Sequence, residues 1–355
     1  MNVDIFKISQ SGPDDLSGLE ELIARQQLDP HMIVAVMGKT EGNGCVNDFT
    51  RGFAVATLKG YLQTLIGEAL TRQIVFVMSG GTEGVLSPHL IVFTRQTEGL
   101  SGPTQVGLAL GVSHTRNFLA DEIGTLTMVQ VVAEGVQAAI AAAGLTAAAV
   151  HFVQIKCPLI TAARRTQATV TPDSYKSMAY SRGASALGVA VALGEVSMGD
   201  LTNADICHNY SFYSTVASTS AGVELQNCEI LVLGNAPESH SNYRIGHSVM
   251  AHALDVAAIH QAIASAGGAS SAQIVTVLAK AEADPSGQIL GHRHTMLDDS
   301  DINHTRMARA VVGAAIASVV QDPMIYVSGG SEHQGPPGGG PIAVIVGDFS
   351  EQTSL

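Results

Sequence analysis

Apolar residues along the chain gather into short runs of strand length, separated by Ala-rich stretches in which apolar positions recur three and four residues apart. That alternation occurs three times in the same order. Helical candidates at residues 16–26, 128–143 and 251–266 lead into the turns Leu28-Asp29-Pro30, Gly144-Leu145-Thr146 and Gly267-Gly268-Ala269. An apolar strand follows each turn, at 33–39, 150–156 and 274–280, and each strand ends in a lysine: Lys39, Lys156 and Lys280. A polar or Gly-rich loop then reaches Asp48-Phe49-Thr50-Arg51, Ala179-Tyr180-Ser181-Arg182 or Asn303-His304-Thr305-Arg306, ahead of another Ala-rich helix. The Ser or Thr before each arginine predicts a helix cap, which sets each Arg at a helix N-terminus. Second strands at 74–81, 218–222 and 324–330 carry Ser79, Ser220 and Ser328, and strands at 90–95, 229–234 and 342–348 close the units.

Strands alternating with helices predict an α/β fold. The repeat divides the chain into unit A at 1–102, unit B at 111–246 and unit C at 251–355, within one integrated fold, with Pro103-Thr104 and His247-Ser248 near the joins.

Composition narrows the function. Of 355 residues, 46% are hydrophobic, ample for a core, and the formal charge of −13 comes without a Lys/Arg cluster, which argues against a nucleic-acid partner. The pattern offers no apolar stretch of membrane-spanning length, and residues 1–10 lack the apolar centre of a secretion signal, so the expected location is cytoplasmic with no membrane partner. Cys45, Cys157, Cys207 and Cys228 are widely separated, a pattern of buried free thiols rather than a zinc site or disulfide framework.

The chemistry lies in the repeated residues. A serine hydroxyl needs a base within reach, and a lysine becomes one when burial and neighbouring cations lower its proton affinity. Behind each serine stands a small residue, Gly80, Ala221 or Gly329, which lets backbone N–H groups approach a carbonyl oxygen. Arginine adds planar donors. One Ser-Gly-Gly alone reads as a turn and one strand-end Lys as a solvated residue; three ordered sets read as a site for a polar ring with several carbonyls. Other motifs fall short. Residues 183–188 miss the G-x-S-x-G spacing, Glu41-Gly42-Asn43-Gly44 is too short for a dinucleotide loop, and His292-Arg293-His294 lies on a polar loop. The carbonyl-rich loop 331–340 reads equally as a hard-cation site or a flexible loop.

Three segments, Val77-Met78-Ser79-Gly80-Gly81-Thr82-Glu83-Gly84, Ser220-Ala221-Gly222-Val223-Glu224-Leu225 and Ser328-Gly329-Gly330-Ser331-Glu332-His333-Gln334-Gly335-Pro336, carry a resemblance to the cyanuric acid hydrolase and barbiturase family, over essentially the whole chain. The resemblance implies three repeating α/β units around a pseudo-threefold axis in one barrel-like fold, with the site on the axis. It implies that Ser220 attacks and Lys156 takes its proton, while Ser79 with Lys39 and Ser328 with Lys280 polarise other carbonyls of the ring. Arg51 and Arg182 map onto the family's substrate-binding arginines; in unit C the repeat pattern gives Arg306 and the family pattern Arg309. No catalytic cofactor is implied, but a structural Mg or Ca is, held by the Glu282 carboxylate and backbone oxygens of Ser331, Gln334, Gly335, Pro336 and Gly339. The implied reaction is ring opening of cyanuric acid to carboxybiuret, then biuret and CO2. The alternatives are opening of barbituric acid to ureidomalonate and, in a different class, a non-catalytic ring-binding or scaffold protein. The expected partners are a small cyclic ureide and further copies of the chain in a homo-oligomer.

Overall fold

Strands that are apolar on both faces need cover on both, and the architecture supplies it. The computed structural model describes residues 1–267 and 274–347; Gly268, Ala269 and Asp348, assigned above to a turn and a strand end, lie outside them. The strands are β1 (Asn2–Ser9), β2 (Ile33–Thr40), β3 (Val75–Gly80), β4 (His89–Gln96), β5 (Gln105–His114), β6 (Val150–Pro158), β7 (Ala217–Gly222), β8 (Glu229–Ser239), β9 (Tyr243–Met250), β10 (Ile274–Ala281), β11 (Gln288–Ile289), β12 (His292–Arg293), β13 (Tyr326–Gly329) and β14 (Gly340–Gly347). The helices are α1 (Ser17–Ala24), α2 (Phe49–Thr71), α3 (Leu126–Ala143), α4 (Ser174–Leu193), α5 (Val256–Ser265) and α6 (His304–Val320).

Three four-stranded sheets share one order, β1-β4-β2-β3, β5-β8-β6-β7 and β9-β14-β10-β13, and β11 with β12 forms a small separate hairpin. In each sheet the Lys strand runs parallel to the Ser strand and antiparallel to the closing strand. Val3, Met37, Val77 and Phe93 of the first sheet, Leu110, Phe152 and Leu231 of the second, and Leu278, Tyr326 and Ile345 of the third join in one central cluster. The other face of each sheet packs on its own helices, with Leu58 and Leu62 of α2, Val132 and Leu187 of α3 and α4, and Ile259 and Ile316 of α5 and α6 in the three outer clusters. By length and composition alone α3 could cross a bilayer, contrary to the sequence reading, but Met128, Val129, Val132, Val136 and Ile140 are buried in the second sheet's cluster.

The edge strands β1, β5 and β9 have no counterpart in the sequence reading. Each pairs antiparallel with the closing strand of its sheet. His247-Ser248, placed above at a join, falls inside β9, so the third sheet begins at Tyr243.

Helix starts also differ from expectation. The caps are Asp48, Asp173 and Asn303, whose side chains accept from amides of the first turn. Thr50 and Thr305 sit inside that first turn, and Ser181 and Arg182 lie mid-helix in α4, so Arg182 is not at a helix N-terminus. Asp and Asn take the cap because their side-chain oxygens accept from the exposed first-turn amides better than a threonine hydroxyl does.

Candidate active site

Parallel pairing of each Lys strand with its Ser strand sets the two side chains side by side. The registers are equivalent in all three sheets: Lys39 opposite Ser79, Lys156 opposite Ser220, Lys280 opposite Ser328. The strand ends converge on a cavity lined by the three serines, by Gly80, Ala221 and Gly329, and by Arg51, Arg182 and Arg309. Gly44, read above only as part of a loop too short for a dinucleotide, and Met178, which the sequence did not single out, complete the wall. Arg306 does not line it: its side chain is 35% exposed and its Nε is 3.8 Å from Glu83. Of the two unit C candidates, Arg309 is the one in the cavity, one helical turn on and 3% exposed.

The three lysines are wholly buried and bonded in a cycle. Lys39 Nζ donates to Val327 O at 2.7 Å, Lys156 Nζ to Met78 O at 2.9 Å, and Lys280 Nζ to Thr219 O at 2.8 Å. Each acceptor is the residue just before another sheet's serine. Lys39 also donates to Ser79 Oγ and Lys280 to Ser328 Oγ, both at 3.2 Å. Lys156 differs: its ammonium lies 3.0 Å from the Glu224 carboxylate.

These positions lower proton affinity. Burial, then the Arg309 charge, pushes the Lys39 ammonium well below its ordinary range. Burial and Arg182 bring Lys280 down to about 7. Burial also lowers Lys156, with Glu224 opposing it.

Sequence reasoning missed the carboxylates four residues after each serine, Glu83, Glu224 and Glu332, although the shared pattern S-x-G-x-E was there to find. Arg309 Nε donates to Glu83 at 2.8 Å, and Arg182 Nε and Nη2 donate to Glu332 at 2.8 and 2.6 Å. Burial works to raise the Glu83 and Glu332 carboxyls, yet these arginines hold both below the ordinary value. Arg51 bonds elsewhere, to Ala221 O at 3.0 Å and Cys45 O at 2.7 Å. In the first and third corners the glycine two residues after the serine is required by both backbone and space, whereas Gly222 in the second is required by space alone. Gly330 has φ 79°, and a Cβ there would stand 2.5 Å from the Arg182 guanidinium carbon.

The residues implied for a cation lie beside this cavity, not in it. Glu282 and Ser331 border a separate space of about 210 Å³ with His304 and Tyr210. Glu282 accepts from the Ala283 amide at 2.9 Å and the Thr305 hydroxyl at 3.0 Å, and His304 Nδ1 is 2.9 Å away. The Ser331 and Pro336 carbonyls each accept a turn amide, from Gln334 and Gly339, which leaves a second lone pair on each. A carboxylate with backbone carbonyl oxygens is the donor chemistry of a hard divalent cation, and of these residues Glu282 and Ser331 share one space. Among the described residues, no three His, Cys, Asp or Glu side chains cluster to bind a metal, and all four cysteines are free, with Cys157 and Cys228 buried and Cys45 and Cys207 half-buried.

Residues 4–347 match the family model described as amidohydrolase ring-opening protein. A cyanuric acid amidohydrolase of Bradyrhizobium diazoefficiens is 50% identical over 365 residues, spanning 97% of this chain and 98% of that protein. A cyclic amide hydrolase of Azorhizobium caulinodans is 49% identical over 364 residues, spanning 98% of this chain and 100% of that protein. A solved cyanuric acid hydrolase structure superposes with a TM-score of 0.93 at 48% identity, covering 98% of this chain and 99% of its own.

Proposed function

The chain belongs to the ring-opening amidohydrolases, and from that membership we propose that it hydrolyses cyanuric acid, using Ser220 as nucleophile and Lys156 as base. The observation that carries the reading is the convergence of three serines, each in register with a buried lysine, and three arginines on one polar cavity. The repeated sheet order supports a pseudo-threefold, barrel-like arrangement with the cavity on its axis.

In this mechanism Ser220 Oγ adds to a ring carbonyl carbon as its proton passes to neutral Lys156. Hydroxyl and backbone donors hold the resulting oxyanion. Collapse breaks the ring C–N bond, and Lys156 returns the proton to the departing nitrogen. Water, deprotonated by the same lysine, releases carboxybiuret, which loses CO2 to give biuret. Ser79 with Lys39 and Ser328 with Lys280 polarise the remaining carbonyls, and Arg51, Arg182 and Arg309 orient the ring. Mg or Ca on Glu282 and the carbonyls of Ser331, Gln334, Gly335, Pro336 and Gly339 would supply fixed positive charge that holds the third unit's loop in place. A cytoplasmic homo-oligomer is part of the same reading.

Barbituric acid is the second reading, favoured by one observation: the corners are not identical, since only Lys156 has a carboxylate on its ammonium. Barbituric acid replaces one ring N–H by CH₂ and leaves a polar partner unpaired, which costs about 1–3 kcal/mol, or about ten- to a hundredfold in rate. The test compares kcat/KM for the two rings by loss of ultraviolet absorbance. Cyanuric acid should lead by that factor, and a clear preference for barbituric acid would overturn the assignment.

A further inference from the structure

The three corners are wired alike except at one bond. Each S-x-G-x-E carboxylate faces an arginine from another unit: Glu83 faces Arg309, Glu332 faces Arg182, and Glu224 lies in the field of Arg51. In the first two the guanidinium takes the carboxylate directly. In the third, Arg51 spends its Nη donors on the Ala221 and Cys45 carbonyls, and Glu224 turns to Lys156 at 3.0 Å. Lys39 and Lys280 donate to their own serines, whereas among the described residues no donor reaches the Ser220 hydroxyl.

We propose that Glu224 is the positioning residue that singles out the middle Ser–Lys pair for reaction, by holding the Lys156 ammonium while the glutamates of the other corners are tied up by arginines. The inference rests on the reading in which Ser220 and Lys156 are the reacting pair. A base that draws a proton from a serine hydroxyl must start neutral and then keep the proton while the oxyanion exists, so its proton affinity has to be lowered by burial but not far below the working pH. Lys39 is buried with no carboxylate on its ammonium and holds a proton poorly, and Lys280 Nζ is likewise spent on neutral acceptors, Ser328 Oγ and the Thr219 and Gly329 carbonyls. Glu224 offsets the burial of Lys156 and fixes Nζ between its carboxylate and Met78 O. The other groups facing Lys156 are Arg51 from α2, Cys157 beside it on β6, and Glu229 opposite it on β8.

The experiment is the pH profile of kcat/KM for cyanuric acid in Glu224→Gln, Glu83→Gln and Glu332→Gln. Removing the carboxylate lets the Lys156 proton leave more easily, so the acid limb in Glu224→Gln should move to lower pH by about 1–3 units, with kcat falling at least about tenfold. Glu224→Asp should recover part of both effects and serves in its place should Glu224→Gln not fold. Glu83→Gln and Glu332→Gln, which loosen Arg309 and Arg182, should raise KM and leave the limb in place. An unmoved limb in the Glu224 variants, or an equal movement in Glu83→Gln or Glu332→Gln, overturns the proposal. Wild-type turnover in Lys156→Ala would instead remove the reading beneath it, so the two failures are distinguishable.

Discussion

Arg306 and Arg309 are three residues apart on α6 and both approach Glu83, yet their truncations should differ sharply. Arg309 is 3% exposed, donates its Nε to Glu83 at 2.8 Å and lines the cavity. Arg309→Ala strands the Glu83 carboxylate, whose side chain is 21% exposed. Losing one partner of a buried, hydrogen-bonded charge pair costs about 2–5 kcal/mol, and partial exposure favours the lower end, about 2–3 kcal/mol. At about 2 °C per kcal/mol for a chain this large, the melting temperature should fall about 4–6 °C. The same change removes a cationic donor from the ring, so kcat/KM should drop about 10²-fold or more. Arg306 stands 3.8 Å from Glu83 with a 35% exposed side chain, and Arg306→Ala should cost under about 1 kcal/mol. Glu83→Ala in the Arg309→Ala background should restore part of the stability and none of the activity, because it removes the stranded charge without replacing the ring donor. Thermal melts and the ultraviolet assay on the three variants decide it. Equal losses for Arg306→Ala and Arg309→Ala would refute the geometric argument.

Ser220→Ala and Lys156→Ala should each cut turnover about 10³-fold or more, Ser220→Ala with the melting temperature retained; near-normal rates for Ser220→Ala beside a dead Ser79→Ala or Ser328→Ala would move the nucleophile to another unit. Glu282→Ala should lower both the divalent metal content and the melting temperature, since an ion bound only to the folded state stabilises it; no metal in the purified protein and an unchanged melt would remove the cation. His89 is wholly buried on β4, and burial brings its ring down to about 4 from 6.5. The unfolded chain therefore binds the proton first, and about 3 kcal/mol should be lost as pH falls from 6.5 through 4. His89→Asn should flatten that limb of the urea-unfolding pH curve, and an unaltered slope would assign the loss to other groups.

What could be read in the sequence was what each unit does alone. Apolar strands ending in Lys, strands ending in Ser and Ala-rich helices depend on local periodicity, and so the parallel Lys–Ser pairing follows from two segments of one unit. The edge strands escaped for the opposite reason. In β1, Lys7 and Asp4 interrupt an apolar pattern that makes sense only against β4, more than eighty residues on. The carboxylates of S-x-G-x-E escaped because a glutamate after two small residues looks like the solvated end of a turn until an arginine from another unit arrives. The lysine cycle has the same character, since Met78, Thr219 and Val327 act through backbone carbonyls that carry no side-chain signature. Each unit thus supplies a lysine that a backbone carbonyl of another unit fixes in place. A substitution before one serine therefore acts first on the lysine of a different corner. The bonds between corners form only when all three sheets meet, which is why the Ser and Lys positions were legible in the chain while the bonds that distinguish one pair from the next were not.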